Sequence, residues 1–294
     1  MKKYAISGSV GHISRPIITG LVKAGHQVSV ITSSSDRVKE IEGLGAKALV
    51  GSLHDVVFLT NAFKDADAVY TMIPPTWQTD NWRASQLEIA KNFESALRAN
   101  AIRHVVNLSS VGAHEPNGVG PVSGLHDFEQ LLNKIHGLNV KHLRPSFFYY
   151  NFLAQIGLIK QAGIMGGNYG STEKIFLVHV NDISNAALEE LSGLNFQGSS
   201  IRYIIGDERS GQDIASVLGK AIGRELSWIE FTDEQQRQGL QGAGLVESIV
   251  NGYVEMGHAL RTGIMQADAR KNKPALSAIK LEDFAKEFAA AFNA

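Results

Sequence analysis

Through the first half of the chain, short runs of β-branched and other apolar residues alternate with longer runs whose apolar positions recur every three or four residues. The first pattern predicts buried strands and the second predicts amphipathic helices. Strands are expected at residues 3–7, 27–32, 46–50, 68–73, 105–108 and 141–143. Six strands separated by helices fit an α/β architecture with a doubly wound parallel sheet, covered on both faces. The helices carry their own punctuation: Pro16 near a first turn, Gly25 after the first helix, Asp36 as a cap for the second, and Gly43 or Gly45 at its end. The longest helical run covers about residues 80–100, with Leu87, Ala90, Phe93, Leu97 and Ala101 on one stripe expected to face the core.

After Arg144-Pro145 this alternation loosens, and Phe147, Phe148, Tyr149, Tyr150 and Phe152 cluster. Further on, the pattern predicts strands at 175–178, 201–205 and 226–231 and helices at 182–191, 211–222 and 280–292, with loops at 239–244 and 270–274. In the last helix Phe284, Phe288 and Phe292 stand at i, i+4 and i+8, a stripe that packs on its own domain or on a second copy. The expected division is a nucleotide-binding domain at 1–150 and a smaller α/β lobe for substrate or partner at 151–294, continuous with the first.

Composition narrows the chemistry. With 294 residues the chain can bury a large core, and 28 Lys+Arg against 29 Asp+Glu leave a net charge of −1 without blocks of like charge. That balance gives no electrostatic footprint for direct nucleic-acid binding, so the expected partner is a small molecule or another protein. The absence of cysteine excludes disulfides, thiolate catalysis and cysteine metal sites. His179 and Asp182 would need a helix to converge on a metal and are read at a strand end instead, so no metal is expected. Met1-Lys2-Lys3 resembles the start of a signal peptide, but Ser7, Gly8, Ser9 and Gly11 interrupt it, and no apolar run reaches membrane length. A cytoplasmic protein without a membrane anchor, monomeric or homodimeric, is the expectation.

Between the first strand and the first helix stands Gly8-Ser9-Val10-Gly11-His12-Ile13-Ser14. A glycine turn feeding a helix N-terminus presents backbone N–H groups and the positive end of the helix dipole to a pyrophosphate. Gly8 serves the tight turn and Gly11 the close approach to phosphate, while Ser14 replaces the usual third glycine. The arrangement predicts a Rossmann dinucleotide site. An NAD-specific site carries an acid at the end of its second strand, but here the chain reads Thr32-Ser33-Ser34-Ser35-Asp36-Arg37. No acid at Thr32 repels a 2′-phosphate, and Ser33, Ser34 and Arg37 can bind one, so NADP(H) is expected in preference to NAD(H). The same residues also suit a helix cap and a solvated charge.

At the end of the fourth strand Met72-Ile73-Pro74 forms a donor-poor wall beside the expected cofactor, and Ser109 and Ser110 follow the fifth strand with hydroxyls for ribose or substrate, or for capping a turn. The glycine loop, Leu108-Ser109-Ser110, His126 with Glu129, Leu143-Arg144-Pro145 followed by Asn151, and Val178-His179-Val180-Asn181-Asp182 together resemble NmrA-like proteins, an atypical branch of the short-chain dehydrogenases. The resemblance covers nearly the whole chain. It implies a fold shared by NADPH-dependent quinone reductases, isoflavone-reductase-like enzymes and redox sensors that bind NAD(P). Typical short-chain dehydrogenases use Tyr-x-x-x-Lys for proton transfer, a spacing absent from this sequence. The resemblance places His126 there instead, as a proton donor or as a helix-packing residue. It also turns the aromatic cluster toward the nicotinamide, with Phe147, Tyr149, Tyr150 and Asn151 as substrate-pocket residues. Two readings follow: an NADPH-dependent reductase of quinones or related flat carbonyl compounds, and a non-catalytic NADP(H) sensor that acts through a protein partner.

Overall fold

The computed structural model describes every residue except Thr172 and Lys273. In chain order the first half runs β1 (Lys3–Ile6), α1 (Ser14–Lys23), β2 (Gln27–Thr32), α2 (Val38–Gly43), β3 (Lys47–Val50), α3 (Val56–Ala62), β4 (Ala68–Met72), α4 (Trp82–Ala99), β5 (His104–Leu108), α5 (Val122–Asn133) and β6 (Asn139–Pro145). The second half adds β7 (Phe147–Phe148), α6 (Ile156–Ala162), β8 (Ile164–Gly167), β9 (Ile175–Val178), α7 (Val180–Gly193), β10 (Ser199–Ile204), β11 (Asp207–Arg209), α8 (Gly211–Ala221), β12 (Ser227–Glu230), α9 (Asp233–Gly242), α10 (Glu247–Arg261), α11 (Ala267–Asn272) and α12 (Leu281–Asn293).

The main sheet is wholly parallel, in the order β10-β6-β5-β4-β1-β2-β3. All six strands expected in the first half are present, with ends shifted by at most two residues. The expected strand at 201–205 becomes β10, which leaves the C-terminal half and pairs with β6 from Ser199↔Val140 to Ile204↔Pro145. The sheet therefore has seven strands and draws on sequence beyond residue 150. Its winding reverses between β1 and β4, the switch point where doubly wound sheets open a ligand crevice at their carboxyl ends.

Alternation within the strands decides which helix covers which face. Tyr4 and Ile6 pack with Ile17, Ile18 and Leu21 of α1 and Ile183, Ala187 and Leu191 of α7. Ala5 and Val69 face the other way, onto Ile89 and Phe93 of α4 and Phe128 and Leu132 of α5. In α4 Ala90, Phe93 and Leu97 are buried as expected, but Leu87 is half-buried and Ala101 lies outside the helix, exposed at φ 49°. Ile102 takes the core position after that turn.

Apart from the main sheet, the C-terminal half contains a β11-β9-β7 sheet, a β12-β8 pair, α6 and α8 to α12. Phe284, Phe288 and Phe292 pack within it, among Leu218, Phe152 and Trp228. Residues 239–242, expected in a loop, complete α9, whose Thr232–Gln235 capping box starts a helix with no buried side chain. Residues 270–272 belong to α11 rather than to a loop, and residue 273 lies outside the described residues. Asp36 is not the cap expected of it: Ser34 caps that turn, its Oγ accepting from the Asp36 N–H at 3.2 Å.

Candidate functional site

The glycine loop is shaped by close approach. Gly8 has φ 93°, and a Cβ there would stand 2.8 Å from Ser14 Oγ and 3.0 Å from Met72 Cγ. Only glycine lets β1, α1 and the end of β4 meet at this point. Ser9 is also left-handed, at φ 53°. Its N–H donates to the Ile31 carbonyl and its Oγ to Thr32 Oγ1, both at 3.1 Å, which ties the loop to the end of β2. Ser14, in the third small position, is buried and donates to the Ser7 carbonyl at 3.4 Å. Ser184 of α7 donates to the Ile13 carbonyl at 3.0 Å, a support unrecognised in the sequence because it lies far along the chain.

No side chain caps α1, and its first turn holds no acid. Val10 is buried, His12 is exposed, and Ile13 is half-buried beside this N-terminus. An uncapped helix start at the switch point, beside a glycine whose missing side chain leaves the turn tight, suits a dinucleotide pyrophosphate. At the end of β2, Thr32 is buried and accepts from the Ser34 N–H at 3.3 Å, whereas Ser33 is exposed. Arg37 Nη1 lies 2.8 Å from Glu40 Oε2, and Arg15 of α1 pairs with the same carboxylate. Two guanidinium groups thus converge beside this strand end. On the far side of the loop, the Met72 N–H donates to Ser7 Oγ at 2.8 Å, Ile73 is buried, and Pro74 is half-buried.

The β5–β6 side is built from buried polar groups. Ser109 Oγ donates to Glu129 Oε1 at 2.5 Å, and Arg144 grips both oxygens of Glu129 at 3.0 and 2.6 Å. Burial opposes the charge on Arg144, but its bonds to Glu129 outweigh that and hold its pKa above the ordinary value. Ser109 is therefore engaged inside the protein, while Ser110 donates to the Val111 carbonyl at 2.8 Å and faces a cavity. Beneath them Thr71 donates to Asn107 at 3.0 Å, and Asn107 pairs with His142 at 3.1 Å across three adjacent strands. Burial pushes the His142 imidazole down to about 4.

The cavity holds about 190 Å³ and is walled by Ser110, Val111, Pro121, Ser146, Phe147, Phe148, Asn151 and Phe176, with Tyr253, Met256 and Leu260 of α10. Of the expected pocket residues, Phe147 and Asn151 line it. Tyr149 does not: it is fully buried, its hydroxyl donates to Asp207 Oδ2 at 3.3 Å, and its ring stacks on Phe284. Burial and the Asp207 carboxylate push its phenol well above the ordinary range. Tyr150 instead sets its ring 4.5 Å from that of His12 on the glycine loop. His126 is also off the cavity wall, its Nδ1 donating to the Ala113 carbonyl at 2.9 Å. His179 caps α7 and meets Glu287 at 3.1 Å. The α10 contribution escaped sequence reading because its residues carry no motif of their own.

The model of a family described as NAD(P)H-binding matches residues 8–191, more than half of the chain. The NAD(P)H azoreductase of Xenophilus azovorans is 23% identical over 292 residues, covering 98% of this chain and 99% of that protein. Among solved structures, the NADPH-dependent quinone oxidoreductase of Escherichia coli in complex with NADPH matches with a TM-score of 0.79 at 17% identity, covering 97% of this chain and 99% of that one. The Citrobacter sp. triphenylmethane reductase complexed with NADP(H) also gives 0.79, at 16% identity over 98% and 99% of the two chains. Among the described residues, no helix is long and apolar enough to cross a membrane. With its glycine loop, switch-point crevice and sheet order, the chain belongs to the NAD(P)H-binding family and is similar to the NmrA-like, atypical short-chain dehydrogenases.

Proposed function

We propose that the protein is an NADPH-dependent reductase of quinones or related small flat carbonyl compounds. The observation that carries this reading is the apolar cavity at the ends of β5 and β6, opening on the same edge of the sheet as the glycine loop. Gly8 to Ile13 and the start of α1 hold the pyrophosphate; Met72, Ile73 and Pro74 form the wall of the crevice; Ser110 stands where crevice and cavity meet. Ser33, Ser34, Arg37 and Arg15 would hold the 2′-phosphate, the two guanidinium groups being those that pair with Glu40. When bound, the reduced nicotinamide supplies a hydride, which with one proton converts a quinone to its hydroquinone. Phe147 and Phe176 exclude water from the acceptor rings, and the smaller lobe provides the outer wall. His126 lies off the cavity wall and is bonded to Ala113, so the reduced anion takes its completing proton from solvent as it leaves the site. Relatives named as azoreductase and quinone oxidoreductase support a conjugated, electron-poor acceptor.

The test is NADPH oxidation by the purified protein with 2-methyl-1,4-naphthoquinone, compared with NADH at equal concentration. Steady turnover, faster with NADPH, is expected; no turnover across a panel of quinones overturns the reading. A second reading is a non-catalytic NADP(H) sensor acting through a protein partner. It is favoured by the cavity lining, where Tyr253 is the one titratable side chain among the described residues.

A further inference from the structure

Most large apolar side chains of this protein are buried, but Trp77 is 49% exposed. It sits in the stretch that leaves the crevice wall at Met72-Ile73-Pro74 and leads into α4. Its ring lies 5.8 Å from that of Tyr253, with planes 11° apart, an offset stack. Tyr253 belongs to α10 and lines the cavity, whereas Trp77 is not part of the cavity wall and packs on the Tyr253 ring. The stretch is tied to the same helix a second time, through a hydrogen bond from Ser248 Oγ to the Thr79 carbonyl. Helix α10 is itself fixed: a Cβ on Gly120 would fall 2.0 Å from the Gly252 carbonyl oxygen, so the two backbones are in direct contact. One partner of the stack thus stands on a closely packed helix, and the other is carried on an exposed connection.

The chemistry of the wall limits what lies against the stack. Among the described residues the cavity is lined by no Lys, Arg, His, Asp or Glu. Ser146, also in its wall, is 5% exposed, and its hydroxyl has no hydrogen-bond partner among the described residues. A charged molecule brought here would lose its hydration without gaining a counter-charge, whereas a neutral carbonyl can accept from a hydroxyl.

We propose that Tyr253, backed by Trp77, determines the specificity of the acceptor site: the Tyr253 ring lies against a planar aromatic acceptor, the stacked Trp77 fixes that ring in place, and a wall without charged side chains confines the site to uncharged molecules. Ser146 donates to one acceptor carbonyl. This assignment rests on the reductase reading above. It is tested by steady-state oxidation of NADPH with 2-methyl-1,4-naphthoquinone and with the anionic 1,4-naphthoquinone-2-sulfonate. The same uncharged quinone is also titrated calorimetrically into the NADP⁺-loaded protein. Trp77→Ala is expected to raise KM for the uncharged quinone about tenfold with little change in kcat, and Trp77→Phe to restore it. Tyr253→Leu has the effect of Trp77→Ala, and the sulfonate gives a kcat/KM lower than the uncharged quinone by about tenfold or more. Unchanged KM in both Trp77→Ala and Tyr253→Leu, or equal kcat/KM for the two quinones, overturns the assignment and leaves the reductase reading standing. If the unaltered protein reduces no quinone, the reductase reading falls and the titration decides. Binding weakened about tenfold by Trp77→Ala keeps the pair, and absent or insensitive binding overturns it.

Discussion

At the β1–β2 wall of the crevice the backbone sets the geometry, through Gly8, the left-handed Ser9 and an uncapped helix start. At the β5–β6 wall side chains set it, through Glu129, Arg144, Ser109 and the Thr71–Asn107–His142 series. The first wall leaves the start of α1 without a side-chain cap, and the second uses its polar groups on one another. An added methyl group is therefore the sharpest perturbation of the first wall, whereas an unpaired charge or a shift in pH is the sharpest perturbation of the second.

The largest expected effect falls on the second wall. Arg144 is 4% exposed and Glu129 1%, so Glu129→Ala strands a buried guanidinium. Arg144 Nη1 also donates to the Tyr203 hydroxyl at 3.2 Å and to Asp268 Oδ2 at 3.3 Å. Denaturant unfolding should show a loss of about 3–5 kcal/mol; a loss below 1 kcal/mol would mean that Asp268 and Tyr203 hold Arg144 unaided. The pH response comes next. His142 is neutral in the folded protein, its pKa pushed down to about 4 from 6.5 by burial, so its contribution is intact above the ordinary histidine range and is lost as pH falls from about 6.5 toward 4. That loss amounts to about 3 kcal/mol, and subtracting the pH profile of His142→Gln should isolate it from titrating carboxylates.

On the first wall, Gly8→Ala forces a left-handed side chain into Ser14 and Met72 and should weaken NADPH binding by about 1–3 kcal/mol in a calorimetric titration. A variant that binds normally would show that the loop yields. Smaller still, Arg37→Ala should lower the preference for NADPH over NADH about fivefold, a charge-assisted contact at an exposed site. An effect of the same size is expected for Tyr149→Phe, which loses one hydrogen bond to Asp207: about 1 kcal/mol of stability with kcat unchanged. A changed kcat would return Tyr149 to the acceptor site.

The strands and glycine turn were legible because their signals are local: apolar runs of strand length, glycine at a fixed offset, a helical stripe directly after. Gly8 announced the crevice, and Phe147 and Asn151 announced the cavity by following Arg144-Pro145. Tyr149 carries the same local signal as Phe147, yet it opens the 3-10 turn that follows β7 and meets Asp207 and Phe284 in the interior. Neighbouring residues on an irregular segment need not share a face, and no period reveals which is which. Trp77 and Tyr253 meet only through tertiary packing, and neither sits in a recognisable pattern. The α9 helix was hidden for another reason: it is polar around its circumference and contains two glycines, so hydrophobic periodicity is silent, although its Thr232–Gln235 capping box was present in the sequence.

The pairing of β10 with β6 bears on how the chain can be divided. Ser199–Ile204 returns after the smaller lobe has begun and closes the side of β6 that β5 does not occupy. A fragment ending near residue 150 would keep the glycine loop but present the length of β6 as a row of unsatisfied amide and carbonyl groups, a template for strand addition by another copy. It would also lack α7, whose Ile183, Ala187 and Leu191 cover the β1 side of the core. Such a fragment is expected to self-associate rather than to act as an isolated nucleotide-binding module, and the nucleotide-binding half is expected to fold only together with the segment that supplies α7 and β10.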